Sequence, residues 1–250
     1  MVFVDTHCHL HYSPENLDAS IANAKQAGVA YMVCVSTNMD DDAKMDHIIT
    51  HDGIYKSIGV HPLSVDKYRM DQIESYLRQA GSHKLVAVGE TGLDNFRNPL
   101  TPAQVPAFEV HLKIAEERNL PIIMHTRGDV EEVAMEVLRQ TRATGIAHCF
   151  GGSMRFAEFL IAHGWYISFA GNLTYKKSAD LHEVAMNIPL ESILIETDAP
   201  FLSPEPLRGK QNEPANVVYV AKKLAELRKT SLEEVMEYTT RNAMKIFDLN

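Results

Sequence analysis

The sequence predicts an α/β fold: a single-domain TIM (β/α)8 barrel over residues 1–250, with an extra C-terminal helix. Three observations predict it. Eight short apolar runs rich in β-branched residues recur along the chain, at 2–5, 31–36, 55–61, 85–90, 121–125, 145–148, 166–171 and 193–198. Segments with helical periodicity lie between them. The 250 residues are the size that eight βα units need. The runs are nearly continuous in apolar character, as expected of parallel strands buried on both faces. An open doubly wound sheet is the competing architecture, and it usually carries a glycine-rich turn after the first strand. Here that turn reads Asp5-Thr-His7-Cys-His9.

The helices are marked by their ends. A first helix over 17–26 stops at Gly28, a residue type suited to the position after a helix C-cap. A second spans 40–51 behind an Asn/Asp-rich stretch. Thr101-Pro102 reads as an N-cap followed by proline in the first turn, opening a helix that runs to about Asn119. The segment 153–163 ends at Gly164. The last helical stretch covers 214–227 and 231–247, and Thr230-Ser231-x-x-Glu234 gives the second part a capping-box start.

Composition narrows the function. The 24 Lys+Arg and 33 Asp+Glu leave a net charge of −9, with 45% hydrophobic and 23% charged residues, which excludes a disordered or fibrous chain. No apolar run approaches the ~18 residues of a membrane span, so no membrane partner is expected. The N-terminal residues lack a basic leader region. Cys8, Cys34 and Cys149 are odd in number and scattered, which points to the cytoplasm rather than a disulfide scaffold. Nothing in the sequence calls for an obligate protein partner. A charge of −9 disfavours a broad electrostatic grip on a phosphate backbone. The chain has no P-loop, HExxH or GxSxG motif.

The 12 histidines are the unusual entry in this composition. Metal-binding residue types gather at the C-terminal ends of the strands, the face where barrels of this kind build active sites. His7 and His9 alternate along the first strand and project to one side, while Cys8 points away and is read as packing. His61 ends the third strand. Gly89-Glu90-Thr-Gly-Leu-Asp94 ends the fourth, His125 the fifth, His148 the sixth, and Glu196-Thr-Asp198 the eighth. A lone histidine at a strand end is usually a hydrogen-bonded core residue, but the recurrence on five strands argues for one site. Six ligands exceed what a single tetrahedral ion needs. They suit two divalent cations (Mg, Mn, Zn or Ni): His7, His9 and Asp198 on one, His125 and His148 on the other, Glu90 between them. Paired ions supply a hydroxide nucleophile near neutral pH and clamp an in-line displacement. Asp198 is also a candidate proton acceptor, and His61 a candidate phosphate donor or acid/base group. Arg127, Arg208 and Lys210 are candidate substrate-phosphate contacts. Met32, Met124 and Phe169 are read as core. His47, His51, His83, His111, His163 and His182 fall on helices or loops and are expected at the surface.

At this point the residues resemble a known family. Asp5-Thr-His7-Cys-His9-Leu, Gly59-Val-His61-Pro, Gly89-Glu90-Thr-Gly-Leu-Asp94, His125-Thr-Arg127, His148-Cys-Phe-Gly-Gly-Ser153, Glu196-Thr-Asp198-Ala-Pro-Phe-Leu and Arg208-Gly-Lys210-x-Asn-Glu-Pro look like the TatD family of metal-dependent hydrolases, within the amidohydrolase superfamily. The match runs in order from residue 4 to about 216. The resemblance implies a TIM barrel holding two divalent ions through His7, His9, Glu90, His125, His148 and Asp198. It also implies deoxyribonuclease activity on DNA phosphodiester bonds, often as a 3′ exonuclease acting on DNA ends. The chain departs from the family where two tyrosines often follow Gly-Leu-Asp, here Asn95 and Phe96. It departs again where Asp commonly follows the strand-five arginine, here Gly128 before Asp129. These departures bear on substrate preference more than on metal binding. Glu90 stands where superfamily members acting on cyclic amides often use a carboxylated lysine. The alternative activities are hydrolysis of an ester or amide on the same site, such as deacylation of D-aminoacyl-tRNA, and a non-catalytic metal-stabilised scaffold.

Overall fold

A computed structural model describes residues 2–81 and 83–249; Met1, Ser82 and Asn250, inside the expected 1–250 domain, lie outside the described residues. β1 (Phe3–Cys8) leads through two 3-10 turns into α1 (Leu17–Gln26). β2 (Val29–Cys34) precedes α2 (Asp41–Ile48). β3 (Ile54–Ile58) runs through a 3-10 turn at Pro62–Lys67 into α3 (Met70–Gln79). β4 (Leu85–Asp94) precedes α4 (Gln104–Arg118), and β5 (Ile122–Arg127) precedes α5 (Glu131–Leu138). β6 (Gly145–Ala147) is followed by α6 (Met154–Ala162), and β7 (Tyr166–Phe169) by α7 (Ala179–Asn187). β8 (Ile193–Ile195) is followed by α8 (Val217–Arg228) and α9 (Leu232–Phe247). The strands form one parallel sheet in the order β1 to β8. A parallel bridge between Cys8 and Ala199 brings its two edges together. This is the TIM barrel expected from the alternation, a single domain with α9 as the additional helix.

Alternate strand residues serve two cores, as the period of two requires. Val4, Val33, Val35, Val86, Ile123, Ile146 and Leu194 fill the barrel interior, and Phe247 at the end of α9 and Leu249 just beyond it pack into the same cluster. Met32, Ile54, Ile58, Ile122, Met124, Ile167 and Phe169 face outward under the helices. The second glycine of the β4 motif shows how closely neighbouring strands approach. Gly92 has φ +138, and a Cβ there would stand 2.0 Å from the His125 carbonyl oxygen.

Several local expectations change. Thr101 does not cap α4; the N-cap is Ala103, with no side-chain bond. Tertiary contact replaces the cap, because the Gln104 amide accepts from Asp94 N–H at 2.9 Å and donates to Asp94 O at 3.1 Å, pinning the helix start to the end of β4. The Ser231 cap forms, its hydroxyl accepting from Glu234 N–H at 3.0 Å, but the Glu234 carboxylate turns to the Thr230 hydroxyl instead of closing the box. Gly28 and Gly164 are left-handed and follow their helices as the sequence reading places them, and the structure adds a Ser153 cap, its hydroxyl accepting from Phe156 N–H at 3.2 Å. The sequence reading does not place α3, α5 and α7; Gln72 accepts from Arg69 N–H at 2.9 Å at the start of α3, Glu131 and Glu132 open α5, and Ser178 stands at the N-cap of α7. Lys56, a cation inside β3, is buried because Asp42 and Asp46 meet its ammonium at 2.6 and 2.7 Å.

His111 overturns a surface reading. It is fully buried on the inner face of α4. Its Nδ1–H donates to the Ala107 carbonyl at 2.6 Å, and its Nε2 accepts from Val60 N–H at 3.0 Å, one residue before His61. Burial pushes its pKa down to about 4. The neutral ring therefore contributes stability that is present above the unfolded value near 6.5 and lost as pH falls toward 4. Stability is expected to fall by about 1.4 kcal/mol per pH unit across that window from this ring alone. A ring-proton NMR titration of His111 with its midpoint near 6.5 would contradict this.

Candidate metal centre

The seam that closes the barrel also assembles the site. His7 O accepts from Asp198 N–H at 2.9 Å, and Ala199 O accepts from His9 N–H at 2.7 Å. Asp198 sits at φ +55, a left-handed conformation that aspartate tolerates. Asp5 secures the same seam. Its carboxylate accepts from Thr197 N–H at 2.9 Å, Thr197 Oγ1 at 2.6 Å and His7 N–H at 3.3 Å. Burial pushes the Asp5 carboxyl up to about 8 even though these bonds favour its charged form. Asp5 thus braces the site and is not one of the clustered donors.

The structure brings the six candidate ligands together from five strand ends. His7, His9 and Asp198 present donor atoms within 4.8 Å of one another, as do His7, Glu90 and His148. His9 Nδ1 donates to the Val35 carbonyl at 2.8 Å, which leaves the Nε2 lone pair facing Asp198 Oδ1 at 3.3 Å and His7 Nε2 at 3.2 Å. Glu90 divides its oxygens between two histidine pairs. Oε1 lies 2.9 Å from both His125 Nδ1 and His148 Nε2, while Oε2 lies 3.6 Å from His7 Nε2 and 3.9 Å from His9 Nε2. His125 is shared, since its Nδ1 faces this centre and its Nε2 forms a third group with His61 and Asp94.

This donor set fits divalent cations. Donors held about 2.0–2.2 Å from one ion stand roughly 3–4 Å apart, which is the spacing seen here. The facing lone pairs of His9, His7 and Asp198 repel unless a cation or a proton lies between them. Without a cation, protons take that place. Burial pulls the His9 pKa down, but the Asp198 carboxylate more than offsets it and the net shift is upward. Burial likewise opposes charge on His148, yet Glu90 and Glu196 hold its pKa well above the usual imidazole value. Burial alone would raise Glu90, but His148, His61 and His125 hold it well below the usual carboxylate range.

His61 lies outside both donor groups of the central cluster. Its Nδ1 accepts from Leu63 N–H at 3.1 Å, which places the ring proton on Nε2, 3.5 Å from Glu90 Oε1. Burial lowers its pKa to about 4, against the pull of Glu90. A neutral ring with its proton on Nε2, the nitrogen on the Glu90 side, is a hydrogen-bond donor, in keeping with the expected phosphate-donor role. Arg127 is exposed two residues beyond His125 and stacks on Phe96, its guanidinium 4.3 Å from the ring centre. Arg208 stacks on Tyr175 at 4.2 Å. Lys210 is exposed in the same loop, where its carbonyl accepts from the Ser203 hydroxyl.

Sequence reasoning placed Asp94 and Glu196 at strand ends without giving them a role, and it missed other residues around the centre. Asp94 and Glu196 each bond a histidine of the cluster. Tyr12 stacks on His9 at 5.1 Å between ring centres and is itself edge-on to Phe201. His11 is buried beside Cys34 and Asp41. The two departures from the family pattern prove to be coupled. Asn95 accepts from Asp129 N–H at 2.8 Å and donates to Asp129 O at 3.0 Å, across Gly128. A Cβ on Gly128 would stand 2.0 Å from Asn95 Oδ1.

Comparison with known proteins agrees with this arrangement. The family model described as TatD related DNase matches residues 4–248. The chain is 38% identical to the uncharacterized metal-dependent hydrolase YabD of Bacillus subtilis over 98% of its own length and 99% of that protein. It is 36% identical to the uncharacterized metal-dependent hydrolase YcfH of Escherichia coli, over 100% and 97%. The crystal structure of YjjV, a TatD homologue from Escherichia coli, superposes with a TM-score of 0.92 at 30% identity, covering 99% of this chain and 98% of that one. The chain belongs to the TatD family of metal-dependent hydrolases. Cation binding is therefore expected to stabilise the fold by about 2.7 kcal/mol at a hundredfold excess over Kd, or roughly 5–10 °C in Tm. Scanning calorimetry of chelator-treated protein with and without Mn²⁺ or Zn²⁺ checks this, and an unchanged Tm would contradict it.

Proposed function

We propose that this member of the TatD family is a deoxyribonuclease that hydrolyses phosphodiester bonds at DNA ends, as a 3′ exonuclease using two divalent cations. The observation that carries the reading is the division of Glu90, one oxygen toward His125 and His148 and the other toward His7 and His9. That is the arrangement of a carboxylate shared between two cation positions. His7, His9 and Asp198 would hold one ion and His125 and His148 the other. When bound, such ions neutralise phosphate charge and lower the pKa of water toward neutrality.

The chain's own residues supply the rest. Asp198, beside His9 at the barrel seam, accepts a proton from the attacking water. His61 donates Nε2–H to a phosphate oxygen, and its neutral state avoids adding positive charge beside Glu90. Arg127, Arg208 and Lys210 hold neighbouring phosphates. The stacks on Phe96 and Tyr175 limit the freedom of the two guanidinium groups, so less entropy is lost when they engage a phosphate. The family description as a DNase supports phosphodiesters over other esters. The free thiols of Cys8, Cys34 and Cys149 suit the cytoplasm.

A panel of DNA ends, D-aminoacyl-tRNA, and small lactones or amides, each with Mg²⁺, Mn²⁺ or Zn²⁺, tests the reading. Turnover of the tRNA ester or the amides without DNA cleavage would replace it with the corresponding alternative. Glu90→Gln is expected to lower DNA cleavage by about 10²-fold or more, since several kcal/mol of transition-state stabilisation depends on the cations. Arg127→Ala and Arg208→Ala are expected to lower kcat/KM by roughly 10–100-fold each, the worth of a charge-assisted hydrogen bond of ~1.5–3 kcal/mol. With three cationic contacts the salt slope of log affinity stays no steeper than about −3. A slope near −6 would require a basic surface beyond these residues.

A further inference from the structure

Each imidazole in the centre has one nitrogen turned inward and one outward, and the outward partners differ. His9 Nδ1 rests on a neutral carbonyl, that of Val35, at 2.8 Å. His7 Nδ1 is buried with no hydrogen-bond partner among the described residues. The other two rings each meet a carboxylate. His148 Nδ1 lies 3.1 Å from Glu196 Oε1, and His125 Nε2 lies 3.0 Å from Asp94 Oδ2.

Both carboxylates are held in place before any cation arrives. Glu196 is fully buried, and its Oε1 also accepts from Cys149 N–H at 2.8 Å. Its Oε2 accepts from the Ser168 hydroxyl at 2.5 Å, and that hydroxyl stands 3.2 Å from Thr6 Oγ1. Asp94 accepts from Phe96 N–H at 2.9 Å, and its own backbone is clasped by Gln104. A carboxylate only accepts, so each outward nitrogen keeps a ring proton; the inward nitrogen, 2.9 Å from Glu90 Oε1, is the one that gives up its proton and offers a lone pair when a cation takes that place. The carboxylate also raises the electron density on that inward atom.

We infer that Glu196 and Asp94 are positioning residues that commit His148 to present Nε2, and His125 to present Nδ1, to one shared cation position. His125 therefore differs from the other three rings, all of which turn Nε2 inward. His7 and His9 have no such carboxylate partner, so the two cation positions depend on different residues beyond the ligands. The inference rests on the two-cation reading proposed above.

The test needs no substrate. Chelator-treated protein is titrated with Mn²⁺ or Zn²⁺ by calorimetry, and the ring tautomers of the Zn²⁺-loaded, ¹⁵N-labelled chain are read by NMR. Wild type is expected to show Nδ1–H on His148 and Nε2–H on His125. Glu196→Gln preserves the shape and the acceptor for Cys149 while removing the charge. Asp94→Asn does the same on a separate strand, which keeps the test open if one variant folds poorly. Each is expected to weaken one binding step by about 10–100-fold. The other step, identified by its loss in Asp198→Asn, stays as in wild type. A merely structural role would not weaken one step alone. Two ions bound with unaltered affinity in both variants, or a Zn²⁺-loaded His125 carrying its proton on Nδ1, would overturn the inference and leave the two-cation reading standing. A wild-type chain that binds one ion, still weakened by both variants, would support the assignment and overturn the two-cation reading.

Discussion

The barrel closes through the residues that build its candidate metal centre, and the rest of the site depends on that seam. Three backbone relations join β1 to the segment after β8: Asp198 N–H to His7 O, His9 N–H to Ala199 O, and the Cys8–Ala199 bridge. His7, His9 and Asp198 therefore hold their mutual distances only while the sheet remains closed. Asp5 reinforces the seam from inside with three accepted hydrogen bonds, two of them from Thr197. Folding and site assembly are one event here, because the chain ends that meet at the seam lie some 190 residues apart in sequence.

A closed seam concentrates charge that would be costly in isolation. Glu90 and Glu196 are buried together with His7, His9 and His148, whereas Asp5 has no imidazole partner and burial pushes it up to about 8. Isolated buried carboxylates would neutralise themselves, and here the imidazoles carry that compensation. The same groups are arranged for exchange of protons by cations, since their lone pairs converge and the outward nitrogens of His9 and His148 are already bonded. Rigidity comes from the neighbours. Gly92 lets β4 and β5 close to contact, and Gln104 fastens the end of β4 to the helix that follows. This is the kind of preorganisation that lets charged groups act without rearrangement during a reaction.

The rim is built on a different principle. Four of the exposed large apolar side chains, Tyr12, Leu63, Phe96 and Phe201, lie in the loops that follow strands β1, β3, β4 and β8. Two arginine guanidinium groups stand over aromatic rings, Arg127 over Phe96 and Arg208 over Tyr175. The Asn95–Asp129 pairing over Gly128 locks the loop after β4 to the loop after β5, beside the Phe96–Arg127 stack. The departures from the family pattern thus reshape one continuous stretch of rim and leave the ligands untouched.

The barrel, and the strand ends that carry its candidate ligands, are legible in the sequence. Strand alternation, helix ends and the residue type at each strand terminus are local properties, written in periods of two and 3.6 residues. His7, His9, Glu90, His125, His148 and Asp198 were legible for that reason. What only the tertiary structure decided is partnership. No local pattern says that His111 on α4 is buried against Val60, that Gln104 replaces a cap at Thr101, or that Glu196 meets a ring 48 residues earlier. Nor does spacing choose which nitrogen of His125 turns inward. Those choices depend on strand register and on closure of the sheet, which bring together residues that the chain keeps far apart.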